Sequence, residues 1–299
     1  MRLIDNIMIY VNIRGNLGNQ LFTYAFARKL QEISKQKICL NYYYLKKYKP
    51  EYTFSLDKYK LNHNVIFECD KPLPWFANPY TIFARIIRKI FPNIYFQFMS
   101  KFGCYLWAKK EYKKVKFTKH KNYYIDGYWQ SDKYFNDIRD IICEEIQPKE
   151  EPNKENEDLY NLIQNTESVC ITIRRGDYVS NPEYKKKFYV CDEKYFYKGL
   201  EELKKHIPNP TLFIFSDDIE WAKKNLNFGQ KMYYETGKDG VCEKIRLMSA
   251  CKHFIISNST FSWWAQYLCK NDEKIVIAPS IWYTNGAKGD IYQEKWKLI

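Results

Sequence analysis

The chain has 299 residues, enough for two modest domains or one large one, and its 45% hydrophobic content places it with globular proteins. At this length about 75% of the unfolded surface can be buried, and nine Cys with no C-x-x-C pair or zinc-type spacing fit neither a disulfide framework nor a zinc module. The net charge of +13 calls for an anionic partner or a strongly solvated face, while the lack of an 18-residue uncharged run argues against a membrane span.

Residues 1–13 carry Arg2 and Asp5 and run directly into a strand-like segment, so no secretory signal is expected. Cys39, Cys170, Cys251 and Cys269 lie in apolar stretches, where free thiols act as small hydrophobes in a reducing compartment. A cytoplasmic protein is expected, soluble or peripheral at the inner face of the plasma membrane.

Residues 7–13 form an apolar, β-branched run ending at Gly15 and Gly18, which reads as a buried strand. Leu21, Phe22, Ala25, Phe26, Leu30 and Ile33 then make a helical stripe. The turn between them, Arg14 to Gln20, looks like a dinucleotide fingerprint. Its third glycine is missing, and no acid ends a second strand about 20 residues later. A nicotinamide enzyme is therefore not the reading. Gly18, Asn19 and Gln20 stay open as a turn facing phosphates held by an opposite domain.

Residues 40–135 mix short helical and extended pieces and are assigned only to the rest of an N-terminal domain. Within them, 85–121 hold eleven Lys or Arg against one acid, Glu111, interleaved with aromatic residues such as Phe91, Phe98 and Trp107. Nucleic acid, an anionic membrane and a solvated face all suit such a stretch. No RNP, helix-turn-helix or zinc-finger pattern accompanies it, so nucleic acid is not the expected partner. Residues 147–158, charged and proline-marked, read as a surface linker.

Beyond the linker, strand-like runs at 169–174, 211–216, 231–235, 253–258 and 274–279 alternate with helical ones at 192–206, 218–226, 240–251 and 260–269. Asp192, and Asp218 or Asp239, are candidate caps. This alternation predicts a parallel sheet covered on both faces, with its ligand crevice at the carboxyl ends of the strands.

Those ends carry a consistent set of polar groups. The first strand runs into Arg174-Arg175-Gly176-Asp177, the second into Ser216-Asp217-Asp218, and the fourth into Ser257-Asn258-Ser259-Thr260-Phe261-Ser262. Forked guanidiniums suit phosphate. A helix N-terminus flanked by hydroxyls suits an anion as well. Taken alone, Asp217-Asp218 and Ser-Asn-Ser-Thr are more often helix caps than ligands, and only the joint placement of these motifs suggests a nucleotide site.

The motifs Arg14-Gly-Asn-Leu-Gly-Asn-Gln-Leu-Phe, Asp126-Gly-Tyr-Trp-Gln-Ser, Ile-Arg-Arg-Gly-Asp-Tyr-Val, Phe-Ser-Asp-Asp-Ile-Glu-Trp and Ser-Asn-Ser-Thr-Phe-Ser-Trp-Trp occur in that order and span most of the chain. Together with the closing Ile291-Tyr-Gln-Glu-Lys-Trp, they resemble the bacterial α-1,2-fucosyltransferases of glycosyltransferase family 11. The resemblance implies an α/β fold of the GT-B type, two Rossmann-like domains facing across a cleft, with GDP-fucose as donor. The acceptor-side domain would cover 1–150 and the donor domain 151–299, with a last helix as a candidate to return to the first domain.

By the same likeness Arg174 and Arg175 would bind the diphosphate, Asp217 or Asp218 guanine or ribose, and Asn258, Ser259, Thr260 and Ser262 would approach phosphate. Asp126, Tyr128 and Trp129 would meet the acceptor, a galactoside in lipopolysaccharide or O-antigen synthesis. Many relatives carry His two residues before the first arginine, where this chain has Thr172.

An α-linked product from a β-linked donor requires inversion by in-line attack. No D-x-D motif or His cluster suggests a metal, so arginines are expected to stabilise the leaving diphosphate, Arg175 foremost. Asp177 is the first candidate for general base, with Glu183 and Asp126 next. Two alternatives stand beside this reading: a fucosyltransferase of another linkage, and a non-catalytic basic protein that binds nucleic acid.

Overall fold

A computed structural model describes residues 7–78, 80–107, 109–287 and 289–299, without the side chain of Phe83. Arg2 and Asp5 lie outside the described residues. The chain divides into two units, Met1–Gln147 and Pro148–Ile299, each an α/β layer structure on one parallel sheet, as the α/β expectation requires.

The first unit runs β1 (Met8–Asn12), α1 (Leu17–Ser34), β2 (Lys37–Asn41), α2 (Tyr43–Tyr48), β3 (Val65–Glu68), α3 (Ile82–Ile90), α4 (Pro92–Ser100), β4 (Cys104–Trp107), β5 (Tyr123–Gly127) and α5 (Arg139–Glu145). Its strands lie in the order β3-β2-β1-β5-β4, all parallel. The chain therefore builds outward from β1 on one side, then places β5 on the other, and the order reverses between β1 and β5.

Helix α1 is buried along most of its length, so its apolar residues serve the core on more than one face. Phe26 stacks on Trp129 with ring centroids 3.7 Å apart and has Tyr134 edge-on at 5.3 Å. Burying one such aromatic contributes about 1.5–3 kcal/mol. The helix ends at Lys35, whose left-handed backbone (φ 59°) lets its amide donate to the Gln31 carbonyl at 2.7 Å.

The second unit runs α6 (Glu157–Asn165), β6 (Ser168–Ile173), α7 (Gly176–Ser180), α8 (Pro182–Phe188), α9 (Glu193–Lys204), β7 (Thr211–Ser216), α10 (Ile219–Asn225), β8 (Lys231–Tyr234), α11 (Val241–Ala250), β9 (His253–Ile255), α12 (Thr260–Leu268), β10 (Val276–Ala278) and β11 (Lys297–Leu298). The parallel order is β11-β10-β9-β6-β7-β8, a doubly wound sheet whose order reverses between β6 and β9. Open α/β sheets bind ligands in the crevice at such a reversal. Strands β6 and β7 are buried throughout, the continuous apolar pattern of a sheet covered on both faces.

Two local expectations change. The last residues form strand β11 beside β10, not a returning helix, with the Ser280 and Ile299 amides bonded across that edge. Asp239 does not cap α11, whose N-cap is Gly240. Its carboxylate instead accepts from Asn153, Asn156 and the Thr236 hydroxyl.

Candidate active site

At the carboxyl end of β6 the chain leaves the sheet through Arg174 and Arg175 and enters α7 at Gly176. The two arginines are held differently. Arg174 donates through Nη1 to Asp217 Oδ2 and through Nη2 to Asp177 Oδ1, each at 2.6 Å. Arg175 uses its backbone amide to bond Asp217 Oδ1 at 2.8 Å, while its guanidinium lies 3.5 Å above the Trp221 ring. Such a cation–π contact is worth about 0.5–2 kcal/mol and fixes the plane of the fork.

Among the described residues the fork is otherwise held only by a long ion pair. Its Nε has no hydrogen-bond partner among the described residues, and the nearest carboxylate oxygen, on Asp218, is 3.6 Å away. Asp218 serves chiefly as the N-cap of α10, accepting from the Trp221 amide at 3.3 Å, so the cap places the ring that carries Arg175. Asp217 is committed to both arginines. Gly176 is required here: a Cβ at that position would come within 2.5 Å of Asp217 Oδ2.

Across the strand-order reversal, β9 is followed by Ser257 and Asn258 before α12. Thr172 Oγ1 accepts from the Ser257 amide at 3.0 Å, and the hydroxyls of Thr172, Ser257 and Ser262 follow one another at 3.5 and 3.4 Å. Ser259 caps α12 by accepting from the Phe261 amide. Thr260 opens the helix half-exposed, with no acid in the first turn. That terminus favours an anion.

Asn258 has no side-chain group to spare. Its Nδ2 donates to the carbonyls of Phe188 and Trp282, and its Oδ1 accepts from the Cys191 thiol. The expected phosphate contact at this residue gives way to a structural tie. Tyr178, 5.3 Å from the Arg174 guanidinium, reaches the Asn258 carbonyl and links the two strand ends; burial pushes its phenol well above the usual range.

In the first unit, the strand ends flanking its own reversal hold a second polar cluster. Asp126, at the end of β5, is 1% exposed and accepts from Asn12 Nδ2 at 2.7 Å, Arg14 Nη2 at 2.6 Å and Arg88 Nη1 at 2.5 Å. Burial works against its charge, yet Arg14 and Arg88 hold the carboxyl below its ordinary value. Arg14 is likewise opposed by burial and raised by Asp126. Arg88 Nε and Nη2 and Arg14 Nε have no partner among the described residues, so spare donors surround a satisfied carboxylate. Asp126 thus reads as an anchor for two guanidiniums, not a free base.

Trp129 is 1% exposed and sandwiched on Phe26, which leaves it no face for a sugar. Of the two expected stacking residues only Tyr128 is half-buried, with Lys110 5.8 Å over its ring. Gln20 is fully buried. It donates to the carbonyls of Gly15 and Thr53 and accepts from the Ser55 amide, so it shapes the turn instead of contacting phosphate. Asn19 accepts from Gln130 through Oδ1, and Gly18 lies within the first turn of α1.

Sequence reasoning missed Trp221, Tyr178 and Arg88. Trp221 sits one helical turn beyond the Asp218 cap, which is a readable spacing; Arg88 looks like any other cation of its basic stretch. Among the described residues no group of three or more His, Cys, Asp or Glu is arranged to hold a metal ion.

The profile of the family described as Glycosyl transferase family 11 matches residues 8–299. An alpha-1,2-colitosyltransferase of Escherichia coli is 31% identical over 98% of this chain and 99% of its own length. The O-antigen biosynthesis glycosyltransferase WbnK of Escherichia coli is 28% identical over 96% and 99%. A galactoside alpha-(1,2)-fucosyltransferase 2 of Mus musculus shares 31% identity over 35% of this chain and 31% of its own. In fold, the NodZ alpha-1,6-fucosyltransferase soaked with GDP-fucose aligns with a TM-score of 0.55 at 12% identity, covering 88% of this chain and 92% of that one.

Proposed function

The chain belongs to glycosyl transferase family 11, and from that premise we propose that it transfers L-fucose, with inversion, from GDP-β-L-fucose to the 2-hydroxyl of a galactoside acceptor. The product would be a surface glycan such as an O-antigen, made at the inner face of the plasma membrane. The observation that carries the donor side is the Arg175 guanidinium at the strand-order reversal of the second sheet, oriented by Trp221, with its Nε lacking a hydrogen-bond partner among the described residues.

In this reading a diphosphate takes the Arg175 fork and the N-terminus of α12, which together offset the charge that develops as GDP leaves. The reaction needs no metal. Arg174 occupies only Oδ1 of Asp177; the other oxygen has no partner among the described residues and is free to take the acceptor proton. Glu183, exposed at the start of α8, is the reserve candidate. Membership of a transferase family leaves the non-catalytic alternative without support.

One observation favours a second donor. The relative matched over 98% of this chain is named a colitosyltransferase, and colitose is fucose without its 3-hydroxyl. GDP release with GDP-fucose, GDP-colitose and GDP-mannose, each with β-galactosides and EDTA, separates the readings. Turnover with GDP-fucose supports the proposal, and turnover with GDP-colitose alone replaces the donor. Failure of all three donors both to turn over and to raise the melting temperature removes the sugar-nucleotide reading.

A further inference from the structure

Helices α3 and α4 turn an apolar ridge outward. Ile82 is 75% exposed, and Ile86, Ile90, Ile94, Phe98 and Phe102 are each more than half exposed. The four-residue spacing puts Ile82, Ile86 and Ile90 on one face of α3 and Ile94 and Phe98 on one face of α4, with Phe102 just beyond its end. The opposite faces do the packing. Ala84 and Arg88 are buried from α3, and Phe96 from α4 meets Trp107 with centroids 5.3 Å apart. The ridge therefore contributes nothing to the core of its own unit, and an exposed apolar surface of this extent marks an interaction site.

Charge decides the occupant. Residues 71–110 contain seven Lys or Arg and no Asp or Glu. Arg85, Lys89 and Lys101 are exposed within the ridge segment itself, and Lys109, Lys114 and Lys116 follow on the adjoining chain. A second copy of this chain would bring like charges together at its centre. An anionic bilayer complements both parts, the headgroups meeting the cations and the acyl boundary meeting the ridge.

We propose that α3 and α4 form an interfacial membrane anchor, the ridge entering the headgroup–acyl boundary of an anionic bilayer with Arg85, Lys89 and Lys101 at its rim. The docking is apolar as well as electrostatic, so salt weakens it without abolishing it. It uses no residue of the transferase site and stands separately from that reading.

The test is cosedimentation of the full chain with vesicles of phosphatidylcholine, with and without phosphatidylglycerol. Ile86→Asp with Phe98→Asp should lower partitioning about tenfold or more, and Lys89→Gln with Lys101→Gln by roughly tenfold. Salt at about 1 M should release only part of the wild-type protein. Both double variants should keep the melting temperature and GDP-release activity on a soluble acceptor. Three results would overturn the anchor: wild-type partitioning by I86D/F98D, complete release by salt, or equal binding to neutral vesicles. Sedimentation of the free protein as a dimer that I86D/F98D dissociates would assign the ridge to a second copy instead.

Discussion

Replacing Asp126 by Asn tests whether the cluster between β1 and β5 is held together by charge. The carboxylate is 1% exposed and takes bonds from Asn12, Arg14 and Arg88 at 2.5–2.7 Å. Removing one partner of a buried ion pair costs about 3–5 kcal/mol, because the other charge stays behind. Asn preserves volume and one acceptor, and the Arg14 side chain is 24% exposed, so water can rehydrate it. Arg88, at 7%, cannot be relieved in this way.

The cost of D126N is therefore near the lower end, about 3 kcal/mol, or roughly 10 °C in melting temperature for a unit of this size. The sign with pH is fixed. A carboxyl lowered from 3.8 contributes stability that is present above that value and lost as pH falls through the folded one. Calorimetric scans at pH 7 and down the acid limb should show a gap between wild type and D126N that narrows only below about pH 4. Adding Arg88→Met to D126N should restore part of the loss. A gap under about 2 °C at pH 7, or one that ignores acid, would refute the charge argument.

The remaining expectations concern the second unit. Arg175→Ala should lower kcat/KM for the sugar nucleotide by about 10²–10³ with the melting temperature unchanged, and a near-normal steady-state rate would remove this fork from the reaction. Asp177→Asn should reduce kcat by roughly 10²–10⁴ while Glu183→Gln stays within a few-fold; the reverse ranking in initial-rate assays would move the base to α8. Gly176→Ala should cost about 1–3 kcal/mol and raise the donor KM, since Asp217 is pinned by both arginines and cannot yield freely to a new Cβ. Thermal scans and donor titrations that match wild type would show that the strand end relaxes.

The second unit was legible because buried parallel strands are continuous apolar runs with punctuated ends: β7 lies at 211–216 as read, and Asp192 and Asp218 cap the helices assigned to them. The first unit was legible only at its start, where the strand read at 7–13 and the helical stripe from Leu21 to Ile33 are β1 and α1. Strand β3 is half-exposed at an edge, and β4 and β5 are short and rich in aromatics, so no apolar period distinguishes them from the irregular chain around them. Site residues divide in the same way. Charged motifs could be placed at strand ends from sequence. Whether a side chain there is spent internally, as with Asn258, Gln20 and Trp129, depends on contacts 30 or more residues away or on stacking within the core, which local pattern does not encode.

The pairing of β6 with β9 stops at Ile171 and Ile255, where the backbones separate to open the crevice. One step further, the Thr172 hydroxyl takes the Ser257 amide in place of the next ladder bond. That single oxygen works as a rivet at the base of a fork. With the Tyr178 bond to the Asn258 carbonyl it ties the prong carrying Arg175 to the prong leading to α12, and in the proposed donor site the two halves of a diphosphate cradle would not need to be assembled anew for each ligand. A substitution that removes the Thr172 hydroxyl would leave the Ser257 amide without this acceptor and loosen the tie at the base of the gap.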